Sequence, residues 1–156
     1  MKAKDPNELD RLRARIDDAL RRERPRAEVM PLLSRLLASA GDIPLLARGG
    51  LDDPQFGNRF PFSRVYADGI IRSGDRVSVG ETSLTAQLTP GHTRGCTSWT
   101  TSVLEGDRKL KVLFSCSASV PSEYRIVGNP RYPDAVQDYR RHFEFLRSFT
   151  PHIFLA

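Results

Sequence analysis

The chain has 156 residues, of which 39% are hydrophobic and 28% charged, a size and composition that suit a compact globular unit. Its 24 basic and 19 acidic residues leave a net charge of only +5, and the two signs are interspersed, which argues against a nucleic-acid-binding surface. No apolar run reaches the roughly 18 residues that a transmembrane helix needs, which argues against a membrane-spanning protein.

The start of the chain lacks the features of an export signal. Residues 1–6 are mostly polar, and no apolar core of a secretory signal follows them. We therefore expect the chain, as written, to remain in the cytoplasm.

Residues 1–45 predict a helical segment that is separate from the rest of the chain. Asp5, Pro6 and Glu8 are typical of a helix start, because Asp5 can cap, proline fits the first turn and Glu8 completes a capping box. Apolar side chains then recur at helical spacing at Leu9, Leu12, Ile16, Ala19 and Leu20.

A second helix is predicted after Pro25, which ends the first one. Its apolar run covers residues 29–37, and it ends near Gly41. Together the two helices predict a helical hairpin at the beginning of the chain.

Residues 46–156 predict a second unit, which consists of strands and one helix. An irregular loop over residues 49–61 comes first. Strands at 76–79 and 83–88 flank a turn at Gly80, and strands at 97–104 and 109–114 flank a turn at Gly106. Each pair predicts a β-hairpin.

The end of the chain predicts a helix and a last strand. The helix covers residues 134–147, and the apolar segment 153–156 predicts the strand. The inner face of the helix is expected to consist of Ala135, Val136, Tyr139, Phe143 and Leu146. The fold class is therefore α/β, with strands and helices in separate layers.

His92 is the first candidate for a functional residue. It lies between Pro90-Gly91 and Gly95, on a tight loop between two predicted strands, where a histidine can bind a metal or act as a base. The alternative is a loop histidine whose ring only forms hydrogen bonds. The other two histidines, His142 and His152, have no second histidine at ligand spacing, and we expect His142 on the helix surface.

The two cysteines, Cys96 and Cys116, are each ten positions from Gly106. If the hairpin turns symmetrically about that glycine, they face each other across the two strands. In a cytoplasmic protein we expect a reduced, packed pair, and a disulfide across the strands is the alternative.

Ser117 and Ser119 follow the second strand of the same hairpin. At a spacing of two on an extended segment their hydroxyls point the same way, and together they could bind an anionic group such as a carboxylate. The alternative is a pair of ordinary turn serines. No G-x-S-x-G motif is present, which argues against a serine hydrolase.

Several motifs, met in order along the chain, carry a resemblance to a known family. They are Thr89-Pro90-Gly91-His92-Thr93, Gly95-Cys96-Thr97-Ser98-Trp99, Ser117-Ala118-Ser119, Gly128-Asn129-Pro130-Arg131-Tyr132-Pro133 and Asp138-Tyr139-Arg140-Arg141. On these motifs the chain resembles the metallo-β-lactamases, and it is closest to the third subclass of these zinc β-lactamases. The resemblance runs from about Gly49 to Ala156.

The resemblance implies the C-terminal half of an αββα sandwich, with the predicted helical hairpin before it. It also implies two zinc ions and hydrolysis of the β-lactam amide. His92 corresponds to the third ligand of the first zinc. Ser117 and Ser119 correspond to positions that bind the carboxylate of the substrate.

The chain departs from the family in its other zinc ligands. The H-x-H-x-D-H motif of the family lies N-terminal to the matched region, but residues 1–48 contain no histidine. The last ligand of the family, a histidine, would fall beyond Ala156. Because zinc catalysis needs three protein ligands, we expect a truncated C-terminal part with no complete catalytic set, which binds zinc poorly and is inactive alone.

Two other hypotheses stay open. The chain could be a non-catalytic interaction module that associates with itself, or one half of a split site whose other half is a separate chain. The resemblance also bears on location, because the family is typically periplasmic or secreted.

Overall fold

The computed structural model describes residues 35–156, and residues Leu37–Ala156 form a compact unit. The helical hairpin predicted before residue 35 lies outside the described residues. Within the described part no helix is both long and apolar enough to cross a bilayer.

The unit begins with two short parallel strands and a short helix. Strand β1 (Leu37–Ser39) pairs with β2 (Gly69–Ile71), and helix α1 (Ile43–Ala47) follows β1. Our prediction that a helix continues to Gly41 is therefore wrong for Leu37–Ser39. The helical spacing of the leucines is a local preference, and pairing with the distant β2 overrides it.

A five-stranded sheet forms the larger part of the unit. Its strands, in spatial order, are β3 (Arg76–Val79), β4 (Thr82–Leu88), β5 (Thr97–Glu105), β6 (Arg108–Phe114) and β7 (Ile153–Leu155). The first four are antiparallel neighbours, whereas β7 runs parallel to β6. The predicted mixture of strands and helices is confirmed.

Both predicted hairpins are confirmed. The β3–β4 turn consists of Gly80 and Glu81, and the β5–β6 turn consists of Gly106 and Asp107. Gly80 and Gly106 have φ values of +61° and +59°, which glycine adopts at no steric cost. The glycine in each turn is thus the physical reason that the sequence predicted these hairpins.

Helix α2 (Ala135–Ser148) connects β6 to β7, as the parallel pairing of those strands requires. Its buried residues are Ala135, Asp138, Tyr139 and His142. Phe143, which we placed on the inner face, is 42% exposed, so the prediction is wrong at this position. The prediction counted apolar side chains only, whereas the buried face of the helix also contains the polar residues Asp138 and His142.

Candidate functional site

His92 lies on the loop that joins β4 to β5. The backbone N–H of Thr89 donates to the carbonyl of Cys96 over 2.8 Å and closes the base of this loop. Within it, the N–H of Gly91 donates to the carbonyl of Thr93 over 2.9 Å. Gly91 has a φ of +143°, and a Cβ at this position would lie 3.0 Å from the Tyr139 ring. The backbone therefore needs glycine directly before His92.

The ring of His92 is held on both its edge and its face. Its Nδ1 atom is 3.1 Å from the carbonyl oxygen of Ser119, and its ring stacks on Tyr124 with centroids 5.3 Å apart. A carbonyl only accepts, so Nδ1 donates to it, and in the neutral ring Nε2 then keeps its lone pair. Metal-binding histidines in proteins commonly have this arrangement, with the second nitrogen donating to a carbonyl.

The two candidate serines lie beside His92. The hydroxyls of Ser117 and Ser119 are 2.7 Å apart, so they share one side of the segment, as their spacing predicted. The carbonyl of Ser119 accepts from both His92 and the Tyr139 hydroxyl, the latter over 2.8 Å. The structure therefore brings all three sequence-predicted site residues together, and their roles as zinc ligand and carboxylate-binding groups stay predictions.

Cys96 and Cys116 form a disulfide, so our expectation of a reduced pair is wrong. The symmetry centre of the hairpin lies between Gly106 and Asp107, half a residue from the position we assumed. Cys96 directly precedes β5 and Cys116 follows β6 by two residues, beyond the last pair of the ladder, and their Cα atoms are 5.8 Å apart, within the usual range for a disulfide. The bridge joins the His92 loop to the Ser117–Ser119 segment.

His142 is completely buried, which corrects our prediction of a surface position. Neither ring nitrogen has a hydrogen-bond partner among the described residues. Burial, and after it the charge of His92, lowers the pKa of His142. His142 lies on the same buried helix face as Tyr139, one turn earlier, whose hydroxyl donates to the Ser119 carbonyl.

Two tyrosines that sequence reasoning did not select also belong to this region. A cavity of about 120 Å³ lies next to His92, and its lining includes Tyr124, Tyr132 and Gln55. Burial, and after it the carboxylate of Asp53, raises the pKa of Tyr124. Burial and a 2.7 Å hydrogen bond to Asp138 raise the pKa of Tyr132. Both hydroxyls are therefore neutral donors over the physiological range.

The described residues do not complete a zinc site. Within residues 35–156 there is no group of three or more histidine, cysteine, aspartate or glutamate side chains that could hold a metal ion. His92 has the geometry of one ligand, but a catalytic zinc needs three. Further ligands would have to come from outside the described residues.

Solved structures show what this arrangement is similar to. No family model matches the chain. BJP-1, a subclass B3 metallo-β-lactamase of Bradyrhizobium japonicum, is 39% identical with a TM-score of 0.73, over 83% of this chain and 49% of that one. The chain has part of the metallo-β-lactamase fold. The match falls in the C-terminal part of these enzymes, as the sequence resemblance predicted.

Two other metallo-β-lactamases extend this finding. FEZ-1 from Legionella gormanii is 33% identical with a TM-score of 0.75, over 78% of this chain and 47% of that one. LRA-12, a class B3 di-zinc metallo-β-lactamase from an Alaskan soil metagenome, is 26% identical with a TM-score of 0.74. The match covers 83% of this chain and 50% of LRA-12. The chain thus spans about half the length of the metallo-β-lactamases that it matches.

Proposed function

We propose that the chain is the C-terminal part of a zinc-dependent β-lactam hydrolase and is inactive alone. The observation that carries this proposal is the contact of His92 Nδ1 with the Ser119 carbonyl, which in the neutral ring leaves the Nε2 lone pair available on a loop next to the Ser117–Ser119 segment. The similarity to subclass B3 metallo-β-lactamases supports it.

The residues of this chain would have distinct tasks in such a hydrolase. His92 offers one nitrogen lone pair, and the Ser117 and Ser119 hydroxyls can donate hydrogen bonds to the carboxylate of a β-lactam. The hydroxyl of Tyr124 stays protonated and adds a donor beside the imidazole. In zinc hydrolases the metal supplies an activated water, and the ligands that complete its site are proposed to lie outside this chain.

Complementation tests this proposal. The chain, extended after Ala156 by the C-terminal residues of BJP-1 that carry the last zinc ligand of the family, is mixed with a separately produced N-terminal half of BJP-1, the half it does not match, and zinc-dependent nitrocefin hydrolysis is measured. We expect no turnover by the chain alone, turnover by the mixture, and its loss in His92→Ala but not in His152→Ala.

Two results would contradict the proposal. His92-dependent turnover by the chain alone at stoichiometric zinc would show that the chain is not inactive by itself. A stable complex of the two halves without any turnover would count against the hydrolase function.

A second candidate function is self-association without catalysis. One face of the sheet exposes apolar side chains on adjacent strands, and the exposed fractions of Val103, Phe114, Ile153 and Leu155 are 41%, 39%, 36% and 45%. Phe114, Ile153 and Leu155 are neighbours, whereas Leu110 and Val112, which lie between them and Val103 on the same face, are buried. The surface that favours association is therefore the group of exposed apolar side chains around Phe114. A discrete dimer in light scattering would favour this function, and a monodisperse monomer would count against it.

A further inference from the structure

Asp42 occupies a helix-capping position without capping the helix. It directly precedes α1, where an aspartate normally accepts from a backbone N–H of the first turn. Its side chain makes no such hydrogen bond within the described residues. Helix α1 therefore forgoes the stabilisation that this residue type usually provides at its start.

The carboxylate of Asp42 binds the His92 loop instead. One oxygen accepts from the backbone N–H of Gly95 over 2.9 Å, and the other accepts from the hydroxyl of Thr93 over 3.0 Å. Both carboxylate oxygens are thus engaged with two of the three residues that follow His92. Hydrogen bonds to an ionised acceptor are among the strongest in proteins, so this contact restrains the loop.

The turn that carries Asp42 packs closely against the same loop. The hydroxyl of Ser39 donates to the carbonyl of Gly95 over 2.7 Å, so both backbone groups of Gly95 are bound from this turn. A Cβ on Gly95 would overlap Ser39 and Asp42, and a Cβ on Gly41 would overlap the backbone of Arg94. The close approach leaves the loop little room to shift.

We propose that Asp42 is a positioning residue for His92. Through Thr93 and Gly95 it fixes the backbone next to His92, so that the ring meets the Ser119 carbonyl and presents Nε2 as a free lone pair. The inference rests on the proposed function only in taking His92 as the zinc ligand. The orientation of the ring is a property of this chain and can be measured without zinc or substrate.

The test is the tautomer of His92, read from ring ¹⁵N chemical shifts of the full chain without metal. We expect a single Nδ1–H tautomer in the wild type. In Asp42→Ala and in the isosteric Thr93→Val, we expect a mixture of both tautomers, because the ring loses its fixed contact with Ser119. Thr93→Ser keeps the hydroxyl and should retain the wild-type tautomer.

Asp107→Ala, in the β5–β6 turn, is the matched control and should leave the His92 signals unchanged. If Asp42→Ala does not fold, the result for Thr93→Val tests the proposal. This variant removes the hydrogen bond between Thr93 and Asp42 and keeps the one between Gly95 and Asp42. A folded Thr93→Val with an unchanged His92 tautomer would overturn the proposal. Failure of the complementation experiment would leave this result untouched, so the two proposals can fail separately.

Discussion

His142 combines full burial with two ring nitrogens that have no hydrogen-bond partner among the described residues. Each unsatisfied buried polar group costs roughly 1–3 kcal/mol. A native protein tolerates this cost only where some other contact of the segment offsets it. Here the same helix face supplies the hydrogen bond from Tyr139 to Ser119, which holds the segment beside His92.

His142→Leu is expected to stabilise the protein. Leucine is similar in size and has no polar atom to leave unpaired, so we expect the free energy of unfolding at pH 7.5 to rise by roughly 1–3 kcal/mol. Urea unfolding followed by circular dichroism measures the change. Phe143→Leu, at the exposed neighbouring position, should have little effect. A destabilised His142→Leu would show that the imidazole has a partner that offsets its burial.

His142 makes the folded protein less stable as the pH falls. The pKa of His142 is lowered in the folded state, so the unfolded chain, with a histidine pKa of about 6.5, binds more protons in mild acid. Stability is therefore lost as the pH falls through about 6.5, by at most about 1.4 kcal/mol for each pH unit. The wild type should follow this slope in urea unfolding, whereas His142→Leu should lack that part of it. Equal slopes for the two proteins would contradict the assignment.

The β5–β6 hairpin is the element that the disulfide strengthens most directly. Cys96 and Cys116 are separated by 20 residues and enclose both strands. Closing a loop of this length in the unfolded chain is worth about 3 kcal/mol in the chain-entropy description. The bridge also joins the two segments that carry His92 and Ser119.

The double variant Cys96→Ala, Cys116→Ala should lose about 3 kcal/mol of unfolding free energy. Wild-type protein unfolded in dithiothreitol should show the same loss, whereas the double variant should be insensitive to the reductant. Denaturant unfolding with and without reductant makes the comparison. Two free thiols in protein prepared under oxidising conditions, as counted by mass spectrometry, would contradict the bridge.

The elements that the sequence predicted well are those that local signals determine. The turns at Gly80 and Gly106 mark both hairpins, and Pro133 marks the start of α2 within a residue or two. Strand β1 could not be predicted in this way, because its pairing partner, β2, lies about thirty residues further along. The buried face of α2 depends on hydrogen bonds to a distant loop, which apolar periodicity does not report.

For the candidate site, too, local signals were predicted from the sequence and contacts between distant residues were not. His92, Ser117 and Ser119 were identified from local motifs, and their proximity was not. Asp42 was missed because it acts across 51 residues on Thr93 and lies in a segment that we expected to be helical. The disulfide was missed because the assumed cytoplasmic setting favoured thiols, although the hairpin geometry allowed the bridge.

At the scale of the whole molecule, we expect the exposed sheet face to influence how the protein behaves in solution. Phe114 and Leu155 are direct neighbours on β6 and β7, and both are more than a third exposed. Strand β7 is also at the edge of the sheet, with no further strand beside it among the described residues. Open edges and apolar faces favour association with other chains.

Phe114→Lys combined with Leu155→Lys should reduce self-association. Two ammonium groups on the face would have to be desolvated for two copies to meet there. Light scattering across a concentration series should show a lower mean mass than for the wild type, and Phe143→Lys, on the exposed side of α2, is the control. An unchanged mass would mean that association, if present, uses another surface.

The contacts around His92 link segments that are far apart in sequence, which bears on how they form during folding. Asp42 reaches Thr93 across 51 residues, His92 reaches Ser119 across 27, and Ser119 in turn meets Tyr139 across 20. Loop-closure entropy opposes each of these meetings until enough later contacts compensate for it. During synthesis on the ribosome, we expect His92 to acquire its final orientation only after Tyr139 has been added, because Tyr139 binds the Ser119 carbonyl that contacts the ring. A chain interrupted before that point would contain the motif without the geometry.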